Sequence, residues 1–323
     1  MLDDLSGNGL LLHHWDTDGI CSAQLLLEYL SDKDLINRTP ILGNYYLTQE
    51  EIEEFRDFDF IIIADMSLPR QNILTLAQKA KISIFDHHLG EEITEVFHHN
   101  PVIKGKDLNQ YPSASWIINT YLGNEPNLFA FLGVVGDHEK KIMDNPVFSG
   151  LLTDFCQEKK VGFDDLLTMV QLLDSNYKIG DKKGVENAPR YLLTNNSPHD
   201  ILDNKKWQKN RRDLTVAIDK QLQKTPNKVK DILLKKMDTP YNIISTVTRK
   251  IFWETGKTTV VINTGFFKES DQVYVRSNQP LEELIKKGKM LGFKCGGKRE
   301  VFGAIVPKNQ TEDFMTQVID FLT

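Results

Sequence analysis

Acids and histidines are bunched at four places in the first 140 residues. The first is His14-Trp15-Asp16-Thr17-Asp18-Gly19, which follows the apolar run Leu10-Leu11-Leu12. Asp65 comes directly after Phe60-Ile61-Ile62-Ile63-Ala64, and Asp86-His87-His88 directly after Ile82-Ser83-Ile84-Phe85. Asp137 follows the segment LFAFLGVVG. Four or five carboxylates gathered in one cleft would repel each other and raise each other's pKa values. Divalent cations remove that conflict. A mixed Asp and His donor set suits a borderline transition metal, Mn²⁺ before Mg²⁺, better than an all-oxygen site. Two such ions roughly 3.5–4 Å apart can share one carboxylate and stabilise both the attacking and the leaving oxygen of an in-line displacement at phosphorus. Singly, each piece has an ordinary reading. Asp-x-Asp-Gly is a common turn, an Asp after a strand is a common helix cap, and a His-His pair is a common surface or packing feature. Their occurrence together, in order and at the ends of apolar runs, is what points to a two-metal phosphoesterase centre.

Such a centre needs strands that end side by side. Strands are expected over 10–13, 60–64 and 82–85, the second being fully apolar as a buried parallel strand should be. Between and after them, helical spacing covers 20–30, 73–81, 113–121 and 127–135. Strand and helix alternating at this pitch predict an α/β fold with a doubly wound parallel sheet, whose ligands bind outside the carboxyl ends of the strands. Residues 147–200 read as mainly helical, and 205–224 as a polar, basic helix. Strands are then expected over 243–247, 259–264, 272–276 and 301–306, and helices over 281–291 and 312–322. The expected division is a catalytic, metal-binding domain over 1–150, a helical connector over 151–236 and a smaller C-terminal α/β domain over 237–323.

A chain of 323 residues suits two domains plus a connector. The net charge of −6 conceals an asymmetry: residues 1–200 carry 16 Lys+Arg against 31 Asp+Glu, and residues 201–323 carry 23 against 14. An acidic half beside a basic half fits a cation-binding domain joined to an anion-gripping one. Ordinary scatter of solvated charge is the other reading. Three well-separated cysteines, Cys21, Cys156 and Cys295, argue against a disulfide framework or a structural zinc site and for a reducing cytoplasm. The acidic N-terminus resembles neither a signal nor a transit peptide, and no apolar stretch is long enough for a membrane span.

The four motifs, HHWDTDG, IIIADMS, FDHHLG and VVGDH, resemble those of the DHH phosphoesterase superfamily, with the archaeal RecJ-like exonucleases as the nearest type. VYVRSN and KCGGKREVFGAIVP resemble the C-terminal substrate-binding domain associated with that family, more loosely. The resemblance implies that His14, Asp16, Asp18, Asp65, His87 and Asp137 ligate two divalent ions, with Asp65 bridging them. It implies that His88 faces the substrate phosphate as an acid or donor and that Asp86 orients a histidine. Some members carry the first histidine four residues before the first Asp, where this chain has Leu12; here His14 precedes Asp16 by two, and His13 is expected to pack or hydrogen-bond inside its strand. In the C-terminal part, Arg276 and Ser277 would contact phosphate, and Gly296 and Gly297 would let the backbone approach it. Lys298 and Arg299 stand where many members have a histidine, which changes the group recognised there. Ser113 and Ser115 are candidates for a leaving-group contact, with a helix cap as the alternative for Ser113.

The basic stretch over 205–236 holds 11 Lys+Arg, and 286–299 holds six with no acid. Basic walls and aromatic residues such as Trp207, Trp253 and Phe293 fit a polyanionic single strand, although core or connector packing is the favoured reading for each aromatic taken singly. The resulting expectation is a Mn²⁺-dependent exonuclease on single-stranded DNA or RNA. The chain is short for bacterial RecJ. This leaves room for a small-substrate enzyme acting on short oligonucleotides: an oligoribonuclease, a bisphosphonucleotide phosphatase or a cyclic dinucleotide phosphodiesterase. A third expectation is a replication or repair partner, or a scaffold in a replication complex.

Overall fold

The computed structural model describes residues 2–323, the side chain of Lys298 excepted. The chain folds as two units. One runs to Tyr177 and takes in Asp181–Asn210; the other comprises Lys178–Gly180 and Arg211–Thr323.

In the first unit β1 (Gly9–His13), β2 (Leu35–Arg38), β3 (Phe60–Ala64), β4 (Lys81–Phe85) and β5 (Phe97–His99) form one parallel sheet in the order β2-β1-β3-β4-β5. The helices are α1 (Thr17–Tyr29), α2 (Gln49–Phe55), α3 (Arg70–Leu76), α4 (Ala114–Tyr121), α5 (Leu128–His138), α6 (Phe148–Lys159), α7 (Phe163–Lys178), α8 (Lys182–Thr194) and α9 (Pro198–Leu202). The next helix, α10 (Lys205–Leu222), contains the division between the units. Every residue of β1 and β3 is buried, because helices cover both faces of the sheet. On one face Leu10, Leu12, Ile61, Ile63, Ile82 and Ile84 share a core with Ile52 and Phe55 of α2 and Ile73 and Leu76 of α3. On the other, α1 packs on β1 and against α4, α5 and α8. Each fully buried Ile or Leu contributes roughly 1.5–3 kcal/mol, so the central strands are fixed firmly. The sheet is the doubly wound one expected. After β1 the chain turns outward to β2 and then returns past β1 to β3, which puts the switch point at the ends of β1 and β3.

The second unit holds β6 (Asn227–Val229), β7 (Ile232–Met237), β8 (Thr259–Asn263), β9 (Ser270–Arg276), β10 (Lys294–Lys298) and β11 (Val301–Pro307), in the order β10-β11-β9-β8-β7-β6. Only the β7–β8 pair is parallel among these. On one face α11 (Ile244–Thr255) packs Ile244, Val247 and Ile251 against Val261. On the other, α12 (Glu282–Met290) and α13 (Thr311–Leu322) cover Val260, Val273, Val275 and Phe302.

Two expectations change. The stretch 243–247 begins α11 and is no strand: Ile-Ile-Ser-Thr-Val has strand composition, but Ile244, Val247, Thr248 and Ile251 are buried at helical spacing. The expected connector over 151–236 is also divided: α6–α9 belong to the first unit, while β6 and β7 join the second sheet. Among the described residues no helix is long and apolar enough to cross a membrane.

Candidate metal centre

β1 ends on two histidines that point to different environments. His13 is fully buried. Its Nδ1 donates to the His14 carbonyl at 2.7 Å, and its Nε2 accepts from Asn37 Nδ2 at 3.2 Å. Burial lowers its pKa to about 4, so it stays neutral. This is the structural place expected for it. His14 turns the other way. Asp16 caps α1, its Oδ1 accepting from Gly19 N at 3.2 Å. A Cβ on Gly19 would stand 2.3 Å from the His14 carbonyl oxygen, so the turn closes only with glycine there.

Asp18 lies in the first turn of α1 and is fully buried. The N-terminus of α4 satisfies its carboxylate: Ala114 N donates to Oδ2 at 2.6 Å and Ser115 N to Oδ1 at 2.9 Å. Bare α5 backbone lies against the same carboxylate, since a Cβ on Gly133 would come within 2.2 Å of Asp18 Oδ1 and 2.0 Å of Ser115 Oγ. Asp174 anchors the turn from the far side, accepting from Thr17 N at 3.0 Å and from Thr17 Oγ1 at 2.7 Å.

Asp65 joins these pieces. It follows β3 with φ 61°, the left-handed region that costs most residues but that Asp and Asn tolerate best. Its N–H donates to the Phe85 carbonyl at 2.9 Å. Its two carboxylate oxygens face opposite ways: Oδ2 lies 3.5 Å from His14 Nδ1, and Oδ1 lies 3.4 Å from His87 Nε2. His14 Nδ1 is also 2.8 Å from Asp16 Oδ2, and His87 Nε2 is 3.1 Å from Asp137 Oδ2 and 4.0 Å from Asp18 Oδ2. Three ligand trios result, each with atoms within 4.8 Å of one another: His14, Asp16 and Asp65; Asp18, His87 and Asp137; and Asp65, His87 and His88.

The electrostatics have the signature of a cation site. Burial, then the neighbouring Asp65 and Asp137, push the Asp18 carboxyl well above the usual range. Burial works against charge on His14 and His87, yet Asp16 and Asp65 around the first, and Asp137 and Asp65 around the second, hold both rings well above the ordinary histidine value. In the metal-free chain, protons do the neutralising that a divalent ion does in such a donor set. His14 Nδ1 is buried and makes no aligned hydrogen bond, although Asp16 Oδ2 is close by. That is the relation of two ligands facing one ion. The residues present therefore fit divalent metal.

Next to the trios, Asp86 is buried and its Oδ1 accepts from His88 Nδ1 at 2.7 Å. Burial opposes charge on Asp86, but the His88 hydrogen bond outweighs it and brings the pKa to about 2. Burial likewise opposes protonation of His88, and Asp86 overcomes it to raise the ring above its ordinary value. The aspartate thus fixes the tautomer and orientation of the histidine.

Ser113 and Ser115 are fully buried. Ser113 caps α4 through Trp116 N at 3.2 Å, and Ser115 Oγ donates to the Ala130 carbonyl at 3.3 Å. They support Asp18 and make no surface for a leaving group. In the second unit Ser277 is also buried, its Oγ 2.9 Å from Thr258 Oγ1. Gly296 and Gly297 lie in β10 rather than in a loop. A Cβ on Gly297, at φ 155°, would stand 1.9 Å from the Val301 carbonyl oxygen, so this glycine serves the β10–β11 hairpin. Arg299 is exposed in the hairpin turn, and the Lys298 side chain lies outside the described residues. Arg276 ends β9 with its guanidinium 5.7 Å from the Trp253 ring centre. Sequence reasoning missed Asp174, Gly133 and Asn37. Asp174 lies 157 residues from Thr17, and no local pattern marks it.

Residues 10–136 match the DHH family, N-terminal domain. No curated protein sequence matches the chain. Among solved structures it is similar to RecJ from Thermus thermophilus in complex with Mn²⁺, at 16% identity and a TM-score of 0.71, over 98% of this chain and 52% of that one. The chain thus spans about half the length of that RecJ. A structure described as exonuclease RecJ bound to manganese aligns at 16% identity and a TM-score of 0.67, over 98% of this chain and 90% of that one. The pGpG-specific phosphodiesterase PggH from Vibrio cholerae aligns at 15% identity and a TM-score of 0.55, over 97% and 98%.

Proposed function

We propose that this chain, whose residues 10–136 are a DHH-family N-terminal domain within a RecJ-like fold, is a metal-dependent phosphoesterase that hydrolyses single-stranded nucleic acid. The carrying observation is the Asp65 carboxylate, with one oxygen toward His14 and the other toward His87. One carboxylate serving two ligand trios is the arrangement a two-metal centre requires. His14, Asp16 and Asp65 would hold one ion, and Asp18, Asp65, His87 and Asp137 the other. Bound there, divalent ions supply charge neutralisation at the phosphodiester and lower the pKa of water. The imidazole donors favour Mn²⁺ over Mg²⁺.

The chain's own residues do the rest. Asp86 accepts from His88 Nδ1 and raises the ring above its ordinary pKa, which favours the doubly protonated ring whose Nε2–H would donate to a phosphate oxygen as negative charge develops. Ala114 N and Ser115 N hold the Asp18 carboxyl group aimed. Arg276 offers a planar guanidinium for a phosphate group.

A second reading is a small-substrate phosphodiesterase. The observation that favours it is the fold shared with the pGpG-specific enzyme, over 97% of this chain and 98% of that one. The test is a time course on end-labelled single-stranded DNA and RNA, from dinucleotides to about 30-mers, with Mn²⁺, with Mg²⁺ and with chelator; this range spans the roughly 4–16 nucleotides a strand-binding fold covers. Metal-dependent laddering of long strands is the expected result. Turnover confined to dinucleotides moves the assignment to the second reading. Inactivity on every length overturns both.

A further inference from the structure

The most unusual charge arrangement outside the metal centre lies in the second unit. Arg249 and Trp253 are one helical turn apart on α11, and Arg276 ends β9 beneath them. The Arg249 guanidinium lies 5.1 Å from the Trp253 ring centre and that of Arg276 5.7 Å. Two cations therefore share one indole. Among the described residues the Arg276 side chain makes no hydrogen bond or ion pair, and its Nε is buried without a hydrogen-bond partner. Gathering two guanidiniums with one left unpaired is costly unless an anion completes the set. The indole that orders them is 54% exposed, the most exposed tryptophan of the chain. A large apolar ring held in place by its neighbours yet left open to solvent is a surface kept for a planar partner.

The surroundings leave room. Tyr274 shares the sheet face of Arg276, two residues away on β9, and neighbours Gly303 on β11, which in turn pairs with Gly296 on β10. A Cβ on Gly296 would meet nothing within 4 Å, and the nearest atoms to one on Gly303 would be those of the Tyr274 ring, at 3.4 Å, and the Gly296 carbonyl oxygen, at 4.0 Å. Beside the arginines the sheet thus presents bare backbone as a shallow floor.

We infer that Arg249, Arg276 and Trp253 form a metal-independent site for a nucleoside phosphate, the two guanidiniums holding the phosphate and the indole stacking on the base. The phosphoesterase reading contributes one element: it makes a nucleotide the expected planar anion. Guanidinium forks match phosphate geometry, and stacking on an aromatic ring contributes about tenfold or more in affinity per base. Arg249 and Trp253 would then set the preference for a nucleotide end over a bare phosphate.

The test is calorimetric titration of the full chain in excess chelator, which removes divalent ions from the first unit, with three probes: inorganic phosphate, ribose 5-phosphate and adenosine 5′-monophosphate. The expected order has the nucleotide binding about tenfold more tightly than ribose 5-phosphate. Trp253→Ala should abolish that gap while leaving ribose 5-phosphate unchanged, and Trp253→Phe should restore most of it. Arg249→Met and Arg276→Met should each weaken both organic phosphates at least tenfold, with circular dichroism confirming that the variants are folded. Equal affinity for nucleotide and ribose phosphate, retention of the gap in Trp253→Ala, or no binding of any probe overturns the site. Metal-dependent hydrolysis plays no part in these readouts, so a failure of the catalytic reading shows separately, as inactivity with metal restored.

Discussion

Asp65 meets two demands at once, a carboxylate shared by two trios and a backbone at φ 61°. Alanine at this position would confound lost ligation with added left-handed strain of about 1–2 kcal/mol. Asparagine keeps the shape and tolerates the backbone. Asp65→Asn should therefore lose nearly all Mn²⁺-dependent hydrolysis while the metal-free chain melts no lower than wild type. Retained turnover in Asp65→Asn would remove the bridging assignment. A different residue controls the response to acid. His13 has a folded pKa of about 4 against an ordinary 6.5, so between those values the unfolded chain binds the extra proton. Its contribution is complete above pH 6.5 and is lost as the pH falls toward 4, by an amount on the order of 3 kcal/mol. Denaturant titrations of wild type and His13→Gln should converge as the pH drops from 7 to 4.5, and parallel curves would show that His13 is not buried neutral. Most of this cluster was legible in the sequence, because His14, Asp65 and His87 follow closely on strand ends and Asp137 closes the apolar run of α5. What was not legible is the support. Asp174, Asn37 and the α4 backbone reach their targets through tertiary folding, and Ser113 and Ser115 look like surface hydroxyls until Asp18 is seen held by the α4 N-terminus they shape.

The elements position the centre through close approach. α5 meets α1 and α4 at Gly133, where any side chain would collide with Asp18 Oδ1 and Ser115 Oγ. Helix propensity alone would make Gly133→Ala stabilising by about 1 kcal/mol. The collision reverses the sign: overpacking of this kind costs roughly 1–3 kcal/mol, and displacing Asp18 should weaken Mn²⁺ binding as well. Gly150 on α6 is the matched control, with nothing within 4 Å of an added Cβ, so Gly150→Ala should raise the melting temperature slightly and leave metal affinity unchanged. If both variants shift stability in the same direction, packing at Gly133 is not what limits α5. The element scale also explains what was legible in the fold. β1, β3 and β4 are buried runs whose composition decides their state. β2, read as Leu-Ile-Asn-Arg, and the three-residue β5 are short edges that carry little pattern and exist by pairing with their neighbours. α11 begins with β-branched residues that favour strand in isolation, and packing of Ile244, Val247 and Ile251 overrides that preference.

At the scale of the whole molecule, the acidic and basic halves of the chain correspond closely to the two units, one ending at Asn210 and the other resuming at Arg211. The sequence showed the two charges; the helices over 151–200 look like a connector until α8 is seen packed on α1. Each unit has its own sheet and core, and every expected metal ligand lies in the first. A ligand that binds only the folded state stabilises the unit that holds it, by about 2.7 kcal/mol at a hundredfold excess over its Kd. Scanning calorimetry in chelator, and then in Mn²⁺, should therefore raise the melting of one unit and leave the other in place. Adenosine 5′-monophosphate in chelator should do the reverse, since Arg249, Trp253 and Arg276 all belong to the second unit. Assigning the transitions needs one variant from each site: Asp65→Asn should cancel the Mn²⁺ shift alone, and Trp253→Ala should diminish the nucleotide shift alone. A single transition that responds to both ligands would mean that the units unfold as one, and that the two sites are coupled through folding despite their separate cores.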